Sequence, residues 1–142
     1  MPTIKFNYAD RTLNFANKKT LKLFLADIFK QEKTPLTSLN YIFCSDEYLL
    51  EINNQFLQHN YYTDIITFSL NEPKQPVEGE IYISLDRVKD NANTNQQPYN
   101  IELLRVIFHG CLHLCGYGDK EEEEILVMRQ KEDYYINQYL VQ

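Results

Sequence analysis

The sequence is poor in the residues that mark extended, cross-linked or membrane-spanning proteins. It has four glycines, five prolines, three cysteines and no tryptophan in 142 residues. So few glycines and prolines are typical of an ordered globular chain. A small, odd number of cysteines argues against a disulfide scaffold and favours a reducing compartment. No apolar run approaches the roughly 18–20 residues that a membrane-spanning helix needs, so we expect no membrane partner.

Positive charge is scarce as well. The chain has 14 Lys and Arg against 20 Asp and Glu, for a formal net charge of −6. Sequence-independent binding to nucleic acid depends on positive charge, so any such contact must rest on a local patch. The first residues, Met1 to Phe6, lack the basic and apolar regions of a signal peptide. Together with the cysteine content, this start of the chain predicts a cytoplasmic protein.

Hydrophobic residues make up 44% of the chain, and their period changes along it. Alternating apolar residues predict strands, and recurrence every three or four residues predicts helices. Ser45 and Asp86 are the predicted N-caps of two helices. The predicted strands cover 3–8, 39–44, 63–70 and 79–85, with a short extra strand at 12–15, and the predicted helices cover 17–30, 45–56, 86–92, 101–115 and 120–140. This order predicts one α+β domain over residues 1–142, a small mixed four-stranded sheet packed with four to five helices.

The predicted helix 101–115 carries two of the three histidines. His109 and His113 are four residues apart, so both rings lie on one face, one turn apart, and their nitrogens can converge on one ion. Such pairs are more often ordinary surface or core residues than ligands. Here the rest of the helix is almost wholly apolar, and the small Gly110 and Cys111 leave room beside the rings. A metal site at the end of a central helix is therefore a candidate.

Asp119 follows this helix after a turn that contains two glycines. Gly116 and Gly118 allow a tight reversal that brings Asp119 back toward the histidines. Two imidazoles and one carboxylate suit a catalytic zinc ion with an open fourth position. The spacing from Asp119 to Glu122 also fits a capping box at the start of the last helix, and spacing by itself favours capping over ligation. The two uses are compatible, because a carboxylate has two oxygens.

Neighbours of the two histidines narrow the chemistry. Gly110 occupies the position at which an H-E-x-x-H metalloprotease has its general base, so a thermolysin-like mechanism is not supported. Cys111 and Cys115 each lie two residues from a histidine, about 200° around a helix, and their thiols therefore face the other way. We expect both to be buried, unreactive thiols rather than metal ligands.

The run from His109 to Tyr117, H-G-C-L-H-L-C-G-Y, resembles the H-G-x-L-H-L-x-G-Y motif of the YbeY family, single-domain bacterial endoribonucleases linked to rRNA maturation. Residues 52–68 are similar to the family's L-N…T-D-V-L-S-F region, and residues 79–81 to the G-D-I that follows. These matches cover most of the chain in the family's order. The resemblance implies a metal-dependent endoribonuclease specific for single strands, which acts in 16S rRNA 3′-end maturation and ribosome quality control. It also implies Zn²⁺ or another divalent transition metal, and the small ribosomal subunit as a partner.

Two positions depart from the family pattern. The family motif usually ends in G-Y-D-H, with a third histidine as a zinc ligand, whereas Asp119 stands at that position here. The resemblance thus implies His109, His113 and Asp119 as the metal ligands. Leu57 stands where the family usually has an arginine that is associated with RNA binding or catalysis. Arg105 and His59 are the candidates for a replacement catalytic group, and the general base is unknown.

Other functions remain open at this point. A peptide-cleaving metallohydrolase would share the metal site but would lack the usual glutamate. A non-enzymatic ribosome-assembly factor with a structural metal would need a closed fourth ligand, and His59 is the only histidine left to supply it.

Overall fold

Four strands and five helices make up the computed structural model, which describes residues 2–142. The strands are β1 (Thr3–Tyr8), β2 (Leu36–Cys44), β3 (Ile65–Ser69) and β4 (Val77–Ser84). The helices are α1 (Lys18–Gln31), α2 (Asp46–Leu57), α3 (Leu85–Thr94), α4 (Tyr99–Leu114) and α5 (Glu122–Leu140). The predicted α+β class is confirmed. Within residues 2–142, no helix is both long enough and apolar enough to cross a membrane.

The sheet is mixed, with the order β1-β2-β4-β3. β1, β2 and β4 are parallel, and β3 is antiparallel to β4 at the edge. Parallel neighbours need crossover connections, which α1 supplies between β1 and β2, and α2 with β3 supplies between β2 and β4. The antiparallel pair needs only the short connection over residues 70–76. This order places β3, which follows the loop after α2, at the edge of the sheet.

The helix that bears the histidines, α4, lies against the sheet because it is apolar on nearly all sides. Leu103, Ile107, Phe108 and Leu112 are buried. A fully buried side chain of this kind contributes roughly 1.5–3 kcal/mol relative to an exposed one. α4 contacts β3 and β4 and is flanked by α1, α3 and α5. Its C-terminal turn, which carries His113, emerges from the core beside edge strand β3.

At Gly110, α4 packs closely against the sheet. A Cβ atom there would lie 2.8 Å from Cδ1 of Ile81 and 3.2 Å from Cδ1 of Ile65. The expectation that Gly110 leaves room beside the histidines is therefore wrong, since the missing side chain makes room for the sheet. The same contact leaves no space for a glutamate at this position.

The predicted extra strand at 12–15 is wrong. These residues, all within the described part of the chain, form no strand. Instead Phe15 packs its ring against Phe6 at 5.0 Å and Phe43 at 5.7 Å between centroids. The apolar residues of this segment, Leu13 and Phe15, are partly buried by side-chain packing against the core, which produces a strand-like pattern without backbone pairing.

Helix capping agrees with the prediction at one position and differs at another. Ser45 caps α2 as predicted, since its hydroxyl accepts a hydrogen bond from the backbone N–H of Tyr48 at 3.1 Å. The predicted cap Asp86 is wrong, because Ser84 caps α3. Asp86 instead accepts hydrogen bonds from the backbone of Asp46 and from Arg11. A serine two residues upstream competes for the same role, and hydroxyl and carboxylate caps are about equally good.

Candidate active site

The three predicted metal ligands line one cleft of about 250 Å³. His109 and His113 reach it from the C-terminal half of α4, and Asp119 reaches it from the loop between α4 and α5. The opposite wall consists of edge strand β3 and the loop after α2, from which His59 also enters the cleft. The geometry thus brings together residues that are up to 60 positions apart in the sequence.

His109 lies between two carboxylates. Its Nδ1 is 2.7 Å from Oε2 of Glu132, and its Nε2 is 3.1 Å from Oδ2 of Asp119. Burial opposes a positive charge on the ring, but the hydrogen bond with Glu132 and the charges of Glu132 and Asp119 outweigh burial and raise the pKa of His109. Glu132 is 6% exposed, so the partner that orients the ring is itself held within the protein.

His113 is oriented by the backbone. Its Nδ1 is 3.2 Å from the carbonyl oxygen of Tyr117, which can only accept a hydrogen bond. Nδ1 therefore carries the proton in the neutral ring, and Nε2 keeps its lone pair. Gly116 allows the chain to turn back here, because its φ of +105° is a backbone conformation that residues other than glycine rarely adopt.

Asp119 does not cap the last helix, so the capping interpretation is wrong. Glu121 is the N-cap of α5 and forms a reciprocal capping box with Glu124. The side chain of Glu124 also fills the space in which a side chain on Gly118 would lie. The carboxylate of Asp119, which is 44% exposed, is thereby left to contact His109 in the cleft.

The donor chemistry of these residues fits a divalent metal. Metal-bound histidines usually donate their second ring N–H to a carboxylate or a carbonyl, which fixes the ring and its tautomer. His109 has Glu132 in this role, and His113 has the Tyr117 carbonyl. Across residues 2–142, however, no three His, Cys, Asp or Glu side chains are gathered closely enough to form a metal centre as they stand. Ligation by His109, His113 and Asp119 remains a prediction.

The two candidate catalytic groups lie in different surroundings. Arg105 donates to Glu132 at 3.1 Å and to Asp133 at 2.7 Å, so its charge is already paired. It lines a second cavity, on the Glu132 side of His109, rather than the cleft that holds His113. His59 lines the cleft itself, with its Nδ1 3.0 Å from the hydroxyl of Tyr61.

Sequence reasoning missed two acids beside His109. Glu132 is distant in the sequence, near the middle of α5, and no local spacing indicates that it meets α4. Asp64 lines the second cavity together with His109 and Glu132. Burial raises the pKa of Asp64, and the nearby charge of His109 only partly offsets this effect. The one available signal was that Asp64 lies within the segment similar to the family's T-D-V-L-S-F region.

Cys111 is buried as expected, whereas Cys115 is only half-buried, and both are poorly ionised thiols. All three cysteines are free, and Cys111 has its sulfur 3.1 Å from the hydroxyl of Tyr41. Burial raises the pKa of Cys44 to about 12 and that of Cys115 to about 11, and it raises the pKa of Cys111 as well. A thiol must lose its proton to bind a metal or to attack an electrophile, so these groups are poorly suited to either role.

A carboxylate just after the C-terminus of α1 anchors the loop that carries Asp119. Glu32 accepts hydrogen bonds from the hydroxyls of Tyr117 and Tyr135 and from the ammonium group of Lys131. Burial opposes the charge on Glu32, but these three donors outweigh burial and lower its pKa. Tyr117 is thereby fixed to both α1 and α5, which holds in place its carbonyl, the acceptor for His113.

Comparison with known proteins places the whole chain in one family. Residues 3–140 match the family model described as endoribonuclease YbeY. The endoribonuclease YbeY of Cytophaga hutchinsonii is 50% identical over 131 residues, which cover 92% of each chain. That of Amoebophilus asiaticus is 43% identical over 138 residues, which cover 96% of this chain and 94% of the relative. The solution structure of TM1509 from Thermotoga maritima superposes with a TM-score of 0.68 at 30% identity, over 94% of this chain and 88% of that one. The chain therefore belongs to the endoribonuclease YbeY family.

Proposed function

We propose that the protein is a metal-dependent endoribonuclease that cleaves single-stranded RNA. Its relatives from Cytophaga hutchinsonii and Amoebophilus asiaticus both bear the name endoribonuclease YbeY. The observation that carries the proposal is the cleft that His109, His113 and Asp119 all line, with the two histidine rings oriented by Glu132 and by a backbone carbonyl. Several side chains that line the cleft are exposed, among them His59, His113 and Asp119, so a strand can reach them.

In this proposal His109, His113 and Asp119 hold Zn²⁺ or another divalent transition metal. When bound, such an ion supplies a water of lowered pKa and stabilises negative charge on a phosphate. Glu132 holds His109 so that its Nε2 faces the cleft, and the carbonyl of Tyr117 does the same for His113. An anionic oxygen in place of a third imidazole makes the site harder, which shifts its preference toward harder metals than three imidazoles would select.

Contact with the RNA must come from residues around the metal ligands. His59 is better placed than Arg105 to meet a phosphate, because the guanidinium of Arg105 is paired with two carboxylates while His59 lines the cleft. We further propose that the substrate is the 3′ end of 16S rRNA and that the protein acts on the small ribosomal subunit in the cytoplasm. It would also take part in ribosome quality control. Family membership supports this assignment.

The alternative of a peptide-cleaving enzyme is not favoured. The position of its usual general base is Gly110, where Ile81 and Ile65 leave no room for a side chain. An assembly factor with a structural metal would need His59 as a fourth ligand. The Nδ1 of His59 contacts the hydroxyl of Tyr61, so only its Nε2 could bind an ion, and retention of the metal by His59→Ala would exclude this role.

Metal content by mass spectrometry tests the site directly. We expect about one equivalent of metal in the wild-type protein and a loss of most of it in His113→Ala, while His59→Ala, a control on the opposite wall, retains it. Full retention of the metal by His113→Ala would show that the ligand assignment is wrong.

Cleavage assays with and without a chelator test the reaction. We expect the protein to cut single-stranded rRNA fragments but not casein, and we expect both the chelator and His109→Ala to abolish cutting. RNA cleavage that survives both treatments would come from a contaminating nuclease and would favour the assembly-factor role.

A further inference from the structure

Two aromatic rings form an exposed surface on the wall of the cleft opposite the metal ligands. His59 and Tyr61 lie in the loop between α2 and β3, and both line the cleft that contains His109 and His113. Their rings stack with centroids 5.1 Å apart and an angle of 20° between planes. The hydroxyl of Tyr61 is 3.0 Å from Nδ1 of His59, which ties the two rings together. Tyr61 is nevertheless 57% exposed, so much of its surface faces solvent.

The backbone of this loop is hydrogen-bonded to a buried side chain of α2. Asn53 on α2 is 2% exposed, and its amide donates to the carbonyl of Tyr61 at 2.9 Å. The backbone N–H of His59 donates to the carbonyl of Asn53 at 3.1 Å. Gln58 ends α2 in a left-handed conformation, with φ of 56°, which turns the chain toward the cleft. The aromatic surface is thus supported before any ligand arrives, which lowers the entropy cost of binding.

The same wall lacks positive charge. Of the residues in the described chain that line the cleft, none is Lys or Arg, and Leu57 stands there at the position where the family usually has an arginine. The chain as a whole carries a formal charge of −6. Attraction of phosphates is therefore a weak source of affinity at this wall. Stacking of a nucleobase on an aromatic ring needs no charge and is a main source of affinity for single strands.

We propose that the His59–Tyr61 pair is a subsite that stacks one nucleobase of a single-stranded RNA beside the metal ligands. Two stacked rings still leave an outer ring face on which a base can lie, and stacking accepts any base because every base has a π-face. A base placed there brings its neighbouring phosphate toward His109 and His113, since all four residues line the same cleft. This inference rests on the proposed function and adds the means by which this chain binds RNA without the arginine.

Binding of a short fluorescein-labelled single-stranded RNA with 2′-O-methyl sugars, followed by fluorescence anisotropy, tests the subsite. The metal-loaded protein is used, and gel electrophoresis checks that the RNA stays intact. We expect Tyr61→Ala to weaken binding about 10-fold, the effect of one lost stacked base, and Tyr61→Phe to stay within about 2-fold because the ring remains. The matched control is Tyr62→Ala. Tyr62 is the next exposed tyrosine, but its ring lies under the guanidinium of Arg87 and does not line the cleft, so we expect unchanged binding.

Two further measurements separate stacking from other causes. The slope of affinity against salt concentration should be the same for the wild type and Tyr61→Ala, because no ionic contact is lost. RNAs with one abasic site at successive positions should reveal one position at which base removal weakens the wild type but not Tyr61→Ala.

The outcomes distinguish the subsite from the proposed function. If Tyr61→Ala binds RNA as tightly as the wild type does, and the wild type cuts RNA, the subsite is overturned and the proposed function stands. The aromatic surface would then be a candidate for binding a protein partner. A wild-type protein that neither binds nor cuts RNA would overturn both proposals. Circular dichroism confirms that each variant is folded. Where the alanine variant is unstable, the abasic-site series on the wild type still tests the subsite, because equal binding at every abasic position would overturn it.

Discussion

Replacing Glu32 with glutamine tests how the loop that carries Asp119 is anchored. The carboxylate of Glu32 is only 10% exposed and accepts hydrogen bonds from Tyr117, from Tyr135 and from Lys131, whose nitrogen is 3.1 Å away. Glutamine has the same shape but no charge, and it presents one oxygen and one amide group to the same three donors.

The expected loss of stability is about 2 kcal/mol. A hydrogen bond to a charged group contributes roughly 1.5–3 kcal/mol. The hydroxyls of the half-buried Tyr117 and the buried Tyr135 donate to different oxygens of Glu32, and glutamine has only one oxygen to offer them. The contact with Lys131 adds at most about 1 kcal/mol, because Lys131 is partly exposed and its charge is screened by solvent. A change of about 2 kcal/mol lowers the urea midpoint of unfolding by about 1 M.

The pH dependence of this loss has a defined sign. The pKa of Glu32 is lower in the folded protein than its ordinary value of 4.5. Its contribution is therefore fully present above pH 4.5 and disappears as the pH falls through the folded pKa. The difference between wild type and Glu32→Gln should be constant near neutral pH and should shrink only below about pH 4.5.

Urea unfolding followed by circular dichroism at several pH values measures this difference. The control is Glu51→Gln, which removes the same charge from an exposed position on α2 and should change stability by less than about 0.5 kcal/mol. Equal stability of Glu32→Gln and the wild type at pH 7, or a difference that grows as the pH falls, would refute this account of Glu32.

Three other predictions concern the core, the caps and the metal. Gly110→Ala should destabilise the protein by about 1–3 kcal/mol in urea unfolding. The new methyl group would lie 2.8 Å from Cδ1 of Ile81, and Ile81→Val removes this atom, so the double variant should recover part of the loss. Glu121→Ala should lower the free energy of unfolding by about 1 kcal/mol, because the N-cap of α5 is lost. Asp119→Ala should abolish metal binding, but when a chelator has removed the metal it should change stability by less than about 0.5 kcal/mol. A larger loss of stability for Asp119→Ala than for Glu121→Ala would restore Asp119 as the cap. Glu132→Gln should weaken metal affinity about 10–100-fold in competition with a chromogenic chelator, because His109 loses its anionic partner, and unchanged affinity would contradict this role.

Much of the secondary structure was predictable because each element carries its own pattern. The apolar run before His109 predicted α4, and the alternation around Ile81 predicted β4, since a helix buried on all sides and a buried strand both leave strong local signals. Ser45 was predictable as a cap for the same reason. Where the spacing fitted two structures equally well, the sequence could not decide between them.

The last helix illustrates such an ambiguity. Asp119 with Glu122 and Glu121 with Glu124 show the same acid-to-acid spacing of a capping box, and only the path of the loop decides between them. The segment 12–15 is a second case, because the burial of Phe15 against Phe6 produces the alternation of a strand without a partner for its backbone. Both errors come from tertiary contacts that a local pattern does not contain.

The sequence by itself determined the helix that presents His109 and His113, the membership of the YbeY family and the residues proposed to hold the metal. These could be predicted because the motif is contiguous and its spacing places both histidines on one face of a helix. Only the tertiary structure decided what surrounds them. Glu132 comes from another helix, and the Tyr61 surface comes from a loop some fifty positions upstream of the histidines. Such groups meet because α4 packs between the sheet and α5, and contacts across a core leave no mark in the spacing of either segment.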